Sequence, residues 1–218
     1  MSRVKVKICG VRTLEEADAA LEAGADAIGF NFWPGSPRYI DPRSAREIAG
    51  SVSPLASLVG VFVNEEARRI EEIFSDVGLS AVQLHGDETP EFCSRLGSIK
   101  LIKAFRVNGS FDIHEIRRYP VSMALLDAGG KGSYGGTGST FDWRVAVEAK
   151  QLARVILAGG LSVENVADAI RLVRPAAIDV CSGVEAEPGR KDLNKLRNFM
   201  AAVYEANAAM ANESNGDL

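Results

Sequence analysis

Two side chains with complementary acid–base chemistry, Cys9 and Asp127, each stand at the end of a short apolar run. Cys9 follows the alternating stretch 4–8 and precedes a glycine, and Asp127 follows four apolar residues. A thiol beside a residue without a side chain is open to a substrate, and its thiolate is a competent base. A carboxyl group at the end of an apolar strand is partly desolvated, which favours its protonated form and suits it to act as a general acid.

Each of these two residues also has a purely structural interpretation. Free cysteine is among the residue types most often buried as a small hydrophobe. A lone aspartate can equally serve as a helix cap or a salt-bridge partner. One acid and one base on opposite sides of a bound sugar are the minimum for proton transfer in an isomerisation, so the pair is more informative than either residue alone.

Two short segments, Gly159-Gly160 and Ser182-Gly183, predict an anion site. Each follows an apolar run, and their backbone N–H groups are exposed because little side chain covers them. The alternative is that these glycines only make tight turns. Because the loops after the seventh and eighth strands of parallel barrels are the usual phosphate site, both segments together favour a phosphorylated small molecule as the ligand.

The elements that must hold these residues follow one repeated pattern, a short apolar, β-branched run and then a helical stretch. Helix-start signals include the capping box that begins at Thr13 and the Asp41-Pro42 pair. Glycines end several of the helices. The predicted strands span 4–8, 27–32, 57–63, 81–84, 100–105, 122–126, 154–158 and 177–181, and the predicted helices include 13–23, 64–77, 88–96, 112–118, 142–150, 162–172 and 192–206.

This pattern predicts the α/β class and a single-domain (β/α)8 TIM barrel over residues 1–207, with a frayed polar C-terminal tail over 208–218. An open doubly wound sheet is the rival architecture, but it rarely needs eight regular units. No GxGxxG motif follows the first strand, which weakens the dinucleotide-binding version of that rival. In a barrel the reacting groups lie at the C-terminal ends of strands, where Cys9 and Asp127 stand.

Further polar residues at the strand ends are candidates for substrate binding. Arg38 lies in the loop after the second strand, and its guanidinium suits a carboxylate or a phosphate; a solvated surface arginine is the alternative. Gln83 and His85 end the fourth strand, and His85 is either a base or a hydrogen-bonded spectator. Asp179, in the eighth strand, completes the predicted substrate-binding set.

Alternation along the first and eighth strands predicts an ion pair inside the barrel. Lys7 and Cys9 share one face of the first strand, and Asp179 and Cys181 share one face of the eighth. These strands are neighbours when a barrel closes, so we expect the charged ends of Lys7 and Asp179 to lie within about 6 Å. The same geometry brings Cys181 near Cys9, as a second thiol of the site or a disulfide partner under oxidation. Lys7 is also expected to lower the pKa of Cys9.

The segment 129–140 contains six glycines in twelve residues and has no helical pattern. A loop this long inside a compact barrel is usually functional, so we expect a lid that closes over the site and excludes water. A disordered surface loop is the alternative.

The overall composition is that of a globular protein, with 46% hydrophobic and 25% charged residues in 218. The net charge of −4 argues against nucleic acid or an anionic membrane as the main partner. No apolar run is long enough for a transmembrane helix, and the N-terminus lacks a signal-peptide core. The three cysteines have no CxxC spacing, so we expect no disulfide framework, no metal site and a cytoplasmic location.

The ordered motifs of this chain resemble those of the phosphoribosylanthranilate isomerases of tryptophan biosynthesis. The resemblance runs from about residue 3 to 206 and rests on the combination of motifs rather than on any one of them. The motifs are VKICG at 6–10, GADAIGF at 24–30, SPRYI at 36–40, GVFVN at 60–64, VQLHG at 82–86, LLD at 125–127, GTG at 136–138 with FDW at 141–143, AGGL at 158–161 and SGVE at 182–185.

The resemblance implies a cofactor-free Amadori rearrangement of N-(5-phosphoribosyl)anthranilate to 1-(2-carboxyphenylamino)-1-deoxyribulose 5-phosphate. It implies that Cys9 is the general base, that Asp127 is the general acid and that Arg38 meets the anthranilate. Gly159, Gly160, Ser182 and Gly183 match the family's phosphate cradle. Cys181 departs from many relatives, which carry serine or another small residue there. A monomer and a homodimer are both compatible with the sequence.

Two other function classes stay open from the residues alone. Another phosphate-binding barrel enzyme, such as a sugar-phosphate isomerase or epimerase, shares the anion loops. A metal-dependent epimerase needs inward histidines, however, and the chain has only His85 and His114. A non-catalytic phosphate-binding module would not need Cys9, Asp127 and a glycine-rich lid together.

Overall fold

The computed structural model describes residues 3–129 and 140–216. Eight parallel strands alternate with helical segments, as the sequence pattern predicts. The strands are β1 Lys5–Cys9, β2 Ala27–Asn31, β3 Ser57–Phe62, β4 Ala81–Leu84, β5 Leu101–Arg106, β6 Met123–Asp127, β7 Val155–Leu157 and β8 Ala177–Val180. Each strand pairs with the next, and β8 pairs with β1 to close a barrel, which confirms the predicted (β/α)8 architecture and excludes the open sheet.

Helices cover the outside of this barrel. The α-helices are α1 Leu14–Glu22, α2 Pro42–Ser51, α3 Ala67–Val77, α4 Pro90–Arg95, α5 Arg144–Ala149, α6 Val166–Val173 and α7 Leu193–Gly216. Thr13 caps α1 by accepting from the Glu16 N–H, as the capping box predicts. Asp41 caps α2 in the same way through the Arg43 N–H.

Two local elements differ from the sequence-based prediction. The helix predicted over 112–118 is a 3-10 helix, Ile113–Arg118, which is capped by Asp112 and ends before the Tyr119-Pro120 pair. A short 3-10 turn, Ser182–Val184, follows β8 and leads into the hairpin of β9 Glu185–Glu187 and β10 Arg190–Lys191, which was not predicted. This hairpin matters because it places Lys191 directly opposite Glu185.

Residues 208–216, which the sequence predicts to belong to a frayed polar tail, are helical in the structure. Helix α7 continues through the predicted boundary to Gly216. The side chain of Asn207 bonds both the N–H and the carbonyl of Val4, and Met210 is buried against the outer core. Arg174 pairs with Glu213 at 2.7 Å. These tertiary contacts hold a polar helical segment that would fray in isolation.

The apolar core lies in two layers, one between barrel and helices and one inside the barrel. The interior layer is small and aliphatic, with Val59, Ile102, Leu125 and Ile156 among its members. Above it, towards the C-terminal ends of the strands, the interior becomes polar and carries buried lysine, glutamine and aspartate side chains. The polar layer is therefore the floor of any site at the barrel mouth. None of the helices in residues 3–129 and 140–216 has the length and apolarity needed to cross a membrane.

Candidate active site

A single cavity at the C-terminal end of the barrel gathers most of the predicted site residues. Its volume is about 660 Å³, including the space at its open mouth. Gly183 is the predicted residue that does not line it. The lining includes Cys9, Arg38, Gln83, His85, Asp127, Gly159, Gly160, Asp179 and Ser182.

The predicted ion pair between Lys7 and Asp179 is confirmed. Lys7 Nζ donates to Asp179 Oδ1 at 2.8 Å, and both side chains are almost fully buried. The pair follows from register, because Lys7 and Asp179 are direct neighbours where β1 and β8 close the barrel. Burial raises the pKa of Asp179 to about 6, while Lys7 acts in the opposite direction. Burial also disfavours the charged ammonium, but Asp179 and Cys9 outweigh it, so the net pKa of Lys7 is raised.

Cys9 is buried at the end of β1 and has a second thiol beside it. The thiol of Cys181, directly after β8, is the main cause that lowers the pKa of Cys9 well below the ordinary value. Burial acts in the opposite direction, but the cations of Lys7 and Lys191 add to the lowering. The arrangement favours the thiolate form of Cys9, the form that can accept a proton. It also bears out the expectation that Cys181 lies near Cys9.

Arg38 belongs to a buried charge network that the sequence did not indicate. Its Nε and Nη2 atoms donate to the two carboxylate oxygens of Glu185 at 2.9 and 2.8 Å. Lys191 Nζ lies 3.3 Å from Glu185 Oε1 and also donates to the carbonyl of Cys181. The alternative of a solvated surface arginine is therefore wrong. Glu185 closes the SGVE motif, but its partner Arg38 is 147 positions away, and no sequence pattern links the two.

Asp127 stands on the other side of the mouth, at the end of β6, and is buried. His85 Nε2 lies 3.3 Å from Asp127 Oδ2 without the alignment of a hydrogen bond. Gln83 Nε2 lies 2.8 Å from His85 Nδ1. Because an amide nitrogen only donates, Nδ1 accepts, and the ring proton of the neutral tautomer sits on Nε2, facing Asp127. Gln83 Oε1 has no hydrogen-bond partner among the residues described.

The two glycine segments have the backbone geometry of an anion cradle. Gly159 and Gly160 have φ values of 81° and 62°, in the left-handed region that other residues rarely adopt. Within the described chain, no backbone or side-chain acceptor takes their N–H groups. Gly183 lies beneath the loop after β7, and a Cβ there would overlap the carbonyl oxygen of Leu161. Gly183 thus allows the two loops to approach one another, while the others line the cavity.

The predicted lid over 129–140 falls almost entirely outside the described residues, which leave out 130–139. Within residues 3–129 and 140–216, no cluster of three or more His, Cys, Asp or Glu side chains could hold a metal ion.

Comparison with known proteins connects this site to one family. The family model described as N-(5'phosphoribosyl)anthranilate (PRA) isomerase matches residues 6–202. The chain belongs to the N-(5'-phosphoribosyl)anthranilate isomerase family. It is therefore an isomerase of the aldose–ketose (Amadori) type. A family member from Geobacter sp. (strain M21), named N-(5'-phosphoribosyl)anthranilate isomerase, is 50% identical over 197 residues, which are 90% of this chain and 96% of that protein.

Solved structures of the isomerase family share the barrel. A crystal structure of phosphoribosyl anthranilate isomerase in complex with reduced 1-(o-carboxyphenylamino)-1-deoxyribulose 5-phosphate matches with a TM-score of 0.83 and 43% identity, covering 93% of this chain and 99% of that one. A crystal structure of generated monomers of the dimeric isomerase from Thermotoga maritima matches with a TM-score of 0.83 and 42% identity over the same shares of the two chains.

Proposed function

We propose that this chain converts N-(5-phosphoribosyl)anthranilate to 1-(2-carboxyphenylamino)-1-deoxyribulose 5-phosphate with Asp127 as the general acid and Cys9 as the general base. The observation that supports these roles best is that one cavity is lined by both groups, with cations near the thiol and none paired with the carboxyl in the described residues. The family membership supports the substrate.

In the first step Asp127 donates its proton to the ring oxygen of the ribose. The bond between that oxygen and C1 breaks, and the anthranilate nitrogen forms a protonated Schiff base with C1. His85, beside Asp127, and the unpartnered Gln83 Oε1 are well situated to bind ribose hydroxyl groups. A hydroxyl that donates to Gln83 Oε1 would satisfy a buried acceptor that the free protein leaves unpaired.

In the second step the Cys9 thiolate removes the proton from C2 of the sugar. The electron pair of the broken C–H bond forms the C1–C2 double bond and neutralises the Schiff base, which gives an enolamine. Tautomerisation of the enolamine gives the ketone product. The lowered pKa of Cys9 supports this role because it favours the thiolate, the form that can accept the proton.

Arg38 would bind the anthranilate carboxylate with the donors that Glu185 leaves available. Two of the roughly five N–H donors of a guanidinium bond Glu185, so the others stay available to a second anion. Glu185 fixes the guanidinium plane in the cavity wall, which reduces the entropy lost when the substrate binds.

The substrate phosphate would occupy the cradle of Gly159, Gly160 and Ser182, with Gly183 setting the spacing of the two loops. Backbone N–H groups that have no acceptor within the described protein support this assignment. The choice between monomer and homodimer and the cytoplasmic location stay predictions.

Anthranilate fluorescence tests the proposal, because the substrate can be generated in situ and its loss followed without added metal or cofactor. We expect turnover by the native chain and a loss of about 10²–10⁴-fold or more in Cys9→Ala. Cys93→Ala, which removes a buried thiol of α4 outside the cavity, is the matched control and should stay near the native rate. Near-native turnover by purified Cys9→Ala would contradict the base assignment.

A further inference from the structure

We propose that Lys191 is a positioning residue for the carboxylate of the substrate: it neutralises Glu185, so that Arg38, the partner of Glu185, keeps a positive charge for an anionic ligand. This inference deepens the proposed function and rests on the role given there to Arg38. The Lys191 side chain is fully buried and does not line the cavity, so it acts on the substrate through Glu185 and Arg38.

The ion pair of Arg38 and Glu185 has no net charge of its own. Glu185 accepts two guanidinium N–H groups at 2.9 and 2.8 Å, and both side chains are largely buried. Burial raises the pKa of Glu185, but the hydrogen bond from Arg38 and the charges of Lys191 and Arg38 outweigh it, so the net pKa is lowered and the carboxyl is ionised. The carboxylate therefore cancels most of the attraction that the guanidinium would have for a second anion.

Lys191 supplies a second cation beside the same carboxylate. Its Nζ lies 3.3 Å from Glu185 Oε1, the oxygen that also accepts from Arg38 Nε. Among the described residues, the other contacts of this ammonium are the carbonyl oxygen and the sulfur of Cys181, at 3.2 and 3.7 Å. Two cations thus share one carboxylate, and one positive charge is left at the wall of the cavity, where Arg38 stands.

The backbone around Lys191 holds this residue in place. Lys191 pairs with Glu185 in the antiparallel hairpin of β9 and β10. The buried carboxylate of Glu16 accepts from the N–H groups of Lys191 and Arg12, both at 2.8 Å, and thereby ties β10 to the loop after β1. A buried ion pair needs only one cation, and the desolvation of a second cation is costly unless a further anion offsets it. A ligand with a negative charge of its own therefore accounts for the second cation.

Cys9 also lies within reach of the Lys191 charge, and its ionisation has to be separated from carboxylate binding. Cys181 has the largest effect on the pKa of Cys9, and the cations of Lys7 and Lys191 lower this pKa further. Turnover of a Lys191 variant therefore reports on the thiol as well as on the carboxylate site. The ratio between two substrates that share the reacting sugar reports on the carboxylate site alone.

The test compares N-(5-phosphoribosyl)anthranilate with its carboxamide analogue, prepared from 2-aminobenzamide and ribose 5-phosphate, in the fluorescence assay. Both substrates have the same phosphate and ribose, so the ratio of their kcat/KM values isolates the contribution of the carboxylate charge. We expect the native chain to prefer the carboxylate, and Lys191→Met to reduce that preference by about tenfold. Arg190→Met, which removes an exposed cation from the same strand, is the matched control and should leave the ratio unchanged.

A double variant that combines Lys191→Met with Glu185→Gln removes both charges and leaves Arg38 positive. Its amide oxygen still accepts from the guanidinium, so it should recover most of the native preference for the carboxylate. Because it keeps no ionised group at these two positions, it tests the inference even if Lys191→Met is too unstable to assay. An unchanged ratio in Lys191→Met, or a double variant without the native preference, would overturn the inference.

The role of Arg38 in the proposed function fails separately from the role of Lys191. If the native chain shows no preference for the carboxylate, or if Arg38→Met retains that preference, Arg38 does not bind the carboxylate. If Arg38→Met loses the preference while Lys191→Met keeps it, only the role of Lys191 is wrong.

Discussion

The two sides of the barrel mouth hold their candidate catalytic groups in opposite electrostatic surroundings. Around Cys9, at the ends of β1 and β8, lie the cations of Lys7, Lys191 and Arg38. Around Asp127, at the end of β6, the contact is the imidazole of His85, and within the described residues no lysine or arginine pairs with this carboxyl. The thiol therefore lies in a network of buried charges, whereas the described contact of the carboxyl is a single imidazole.

The difference matches what each group must do. A general base has to be deprotonated before the substrate arrives, and neighbouring cations favour the thiolate. A general acid has to keep its proton, and a neighbouring ammonium or guanidinium would remove it. The same barrel therefore supports both roles, because Lys7, Arg38 and Lys191 lie around the thiol, while in the described residues the contact of the Asp127 carboxyl is an imidazole.

The largest effect on turnover is expected from a substitution on the acid side of the barrel mouth, at Asp127. Asp127→Asn keeps the shape and removes the proton that opens the ribose ring, so kcat should fall by about 10²–10⁴-fold while KM changes little. Steady-state kinetics with the fluorescent substrate measures this. Asp76→Asn, on the exposed face of α3, is the control. An equal loss of kcat in Asp76→Asn would show that the effect is not specific to Asp127.

The next largest effect is expected from a substitution on the base side of the barrel mouth, at Lys7. Lys7→Met leaves the Asp179 carboxylate buried without its partner, and a broken buried pair is expected to lower the free energy of unfolding by about 3–5 kcal/mol. Lys7→Met should also raise the pKa of Cys9, which would be seen as a shift to higher pH in the midpoint of Cys9 alkylation by iodoacetamide. Urea denaturation measures the stability, and Lys5→Met, an exposed position on the same strand, should change it by less than about 0.5 kcal/mol.

The pH dependence of that penalty provides a second check. The pKa of Asp179 is about 6 in the folded protein and 3.8 ordinarily, so the folded state binds this proton more tightly. This group makes folding more favourable as the pH falls from about 6 towards about 4 and less favourable as it rises. Lys7→Met removes the cation that lowers the pKa of Asp179, so in the variant the carboxyl takes up a proton above pH 6. The penalty of Lys7→Met should therefore shrink as the pH falls towards about 6 and stay level below it. A penalty that grows on acidification would contradict the assignment.

A smaller effect is expected in the loops after β7 and β8, which are proposed to bind the substrate phosphate and so to support the acid step and the base step alike. A Cβ in Gly183→Ala would overlap the Leu161 carbonyl and push the two loops apart. We expect KM for the substrate and the inhibition constant of inorganic phosphate to rise together by about tenfold, equivalent to about 1.4 kcal/mol of lost binding. Gly109→Ala has open space around its Cβ and is the matched control. An unchanged phosphate inhibition constant would argue against the cradle.

Much of the base side could be predicted from the sequence, because the alternation of side chains along a strand and the closure of an eight-stranded barrel both follow regular rules. Once eight strands are counted, β1 must pair with β8, and a period of two turns Lys7 towards Asp179. The Arg38–Glu185–Lys191 network was not predictable in this way. It depends on a loop after β2 and on a hairpin after β8, whose conformations no periodic pattern sets. The C-terminal helix was underestimated for a similar reason, since the bonds from Asn207 to Val4 are tertiary.

The most direct test of the two roles is the isotope effect on turnover of substrate deuterated at the ribose C2. In Cys9→Ser, where a poorer base must break the C2–H bond, the account predicts a large primary isotope effect on kcat. In Asp127→Asn, where ring opening precedes that step and becomes limiting, it predicts an isotope effect close to unity. A large isotope effect in Asp127→Asn together with none in Cys9→Ser would reverse the assignment and contradict the account.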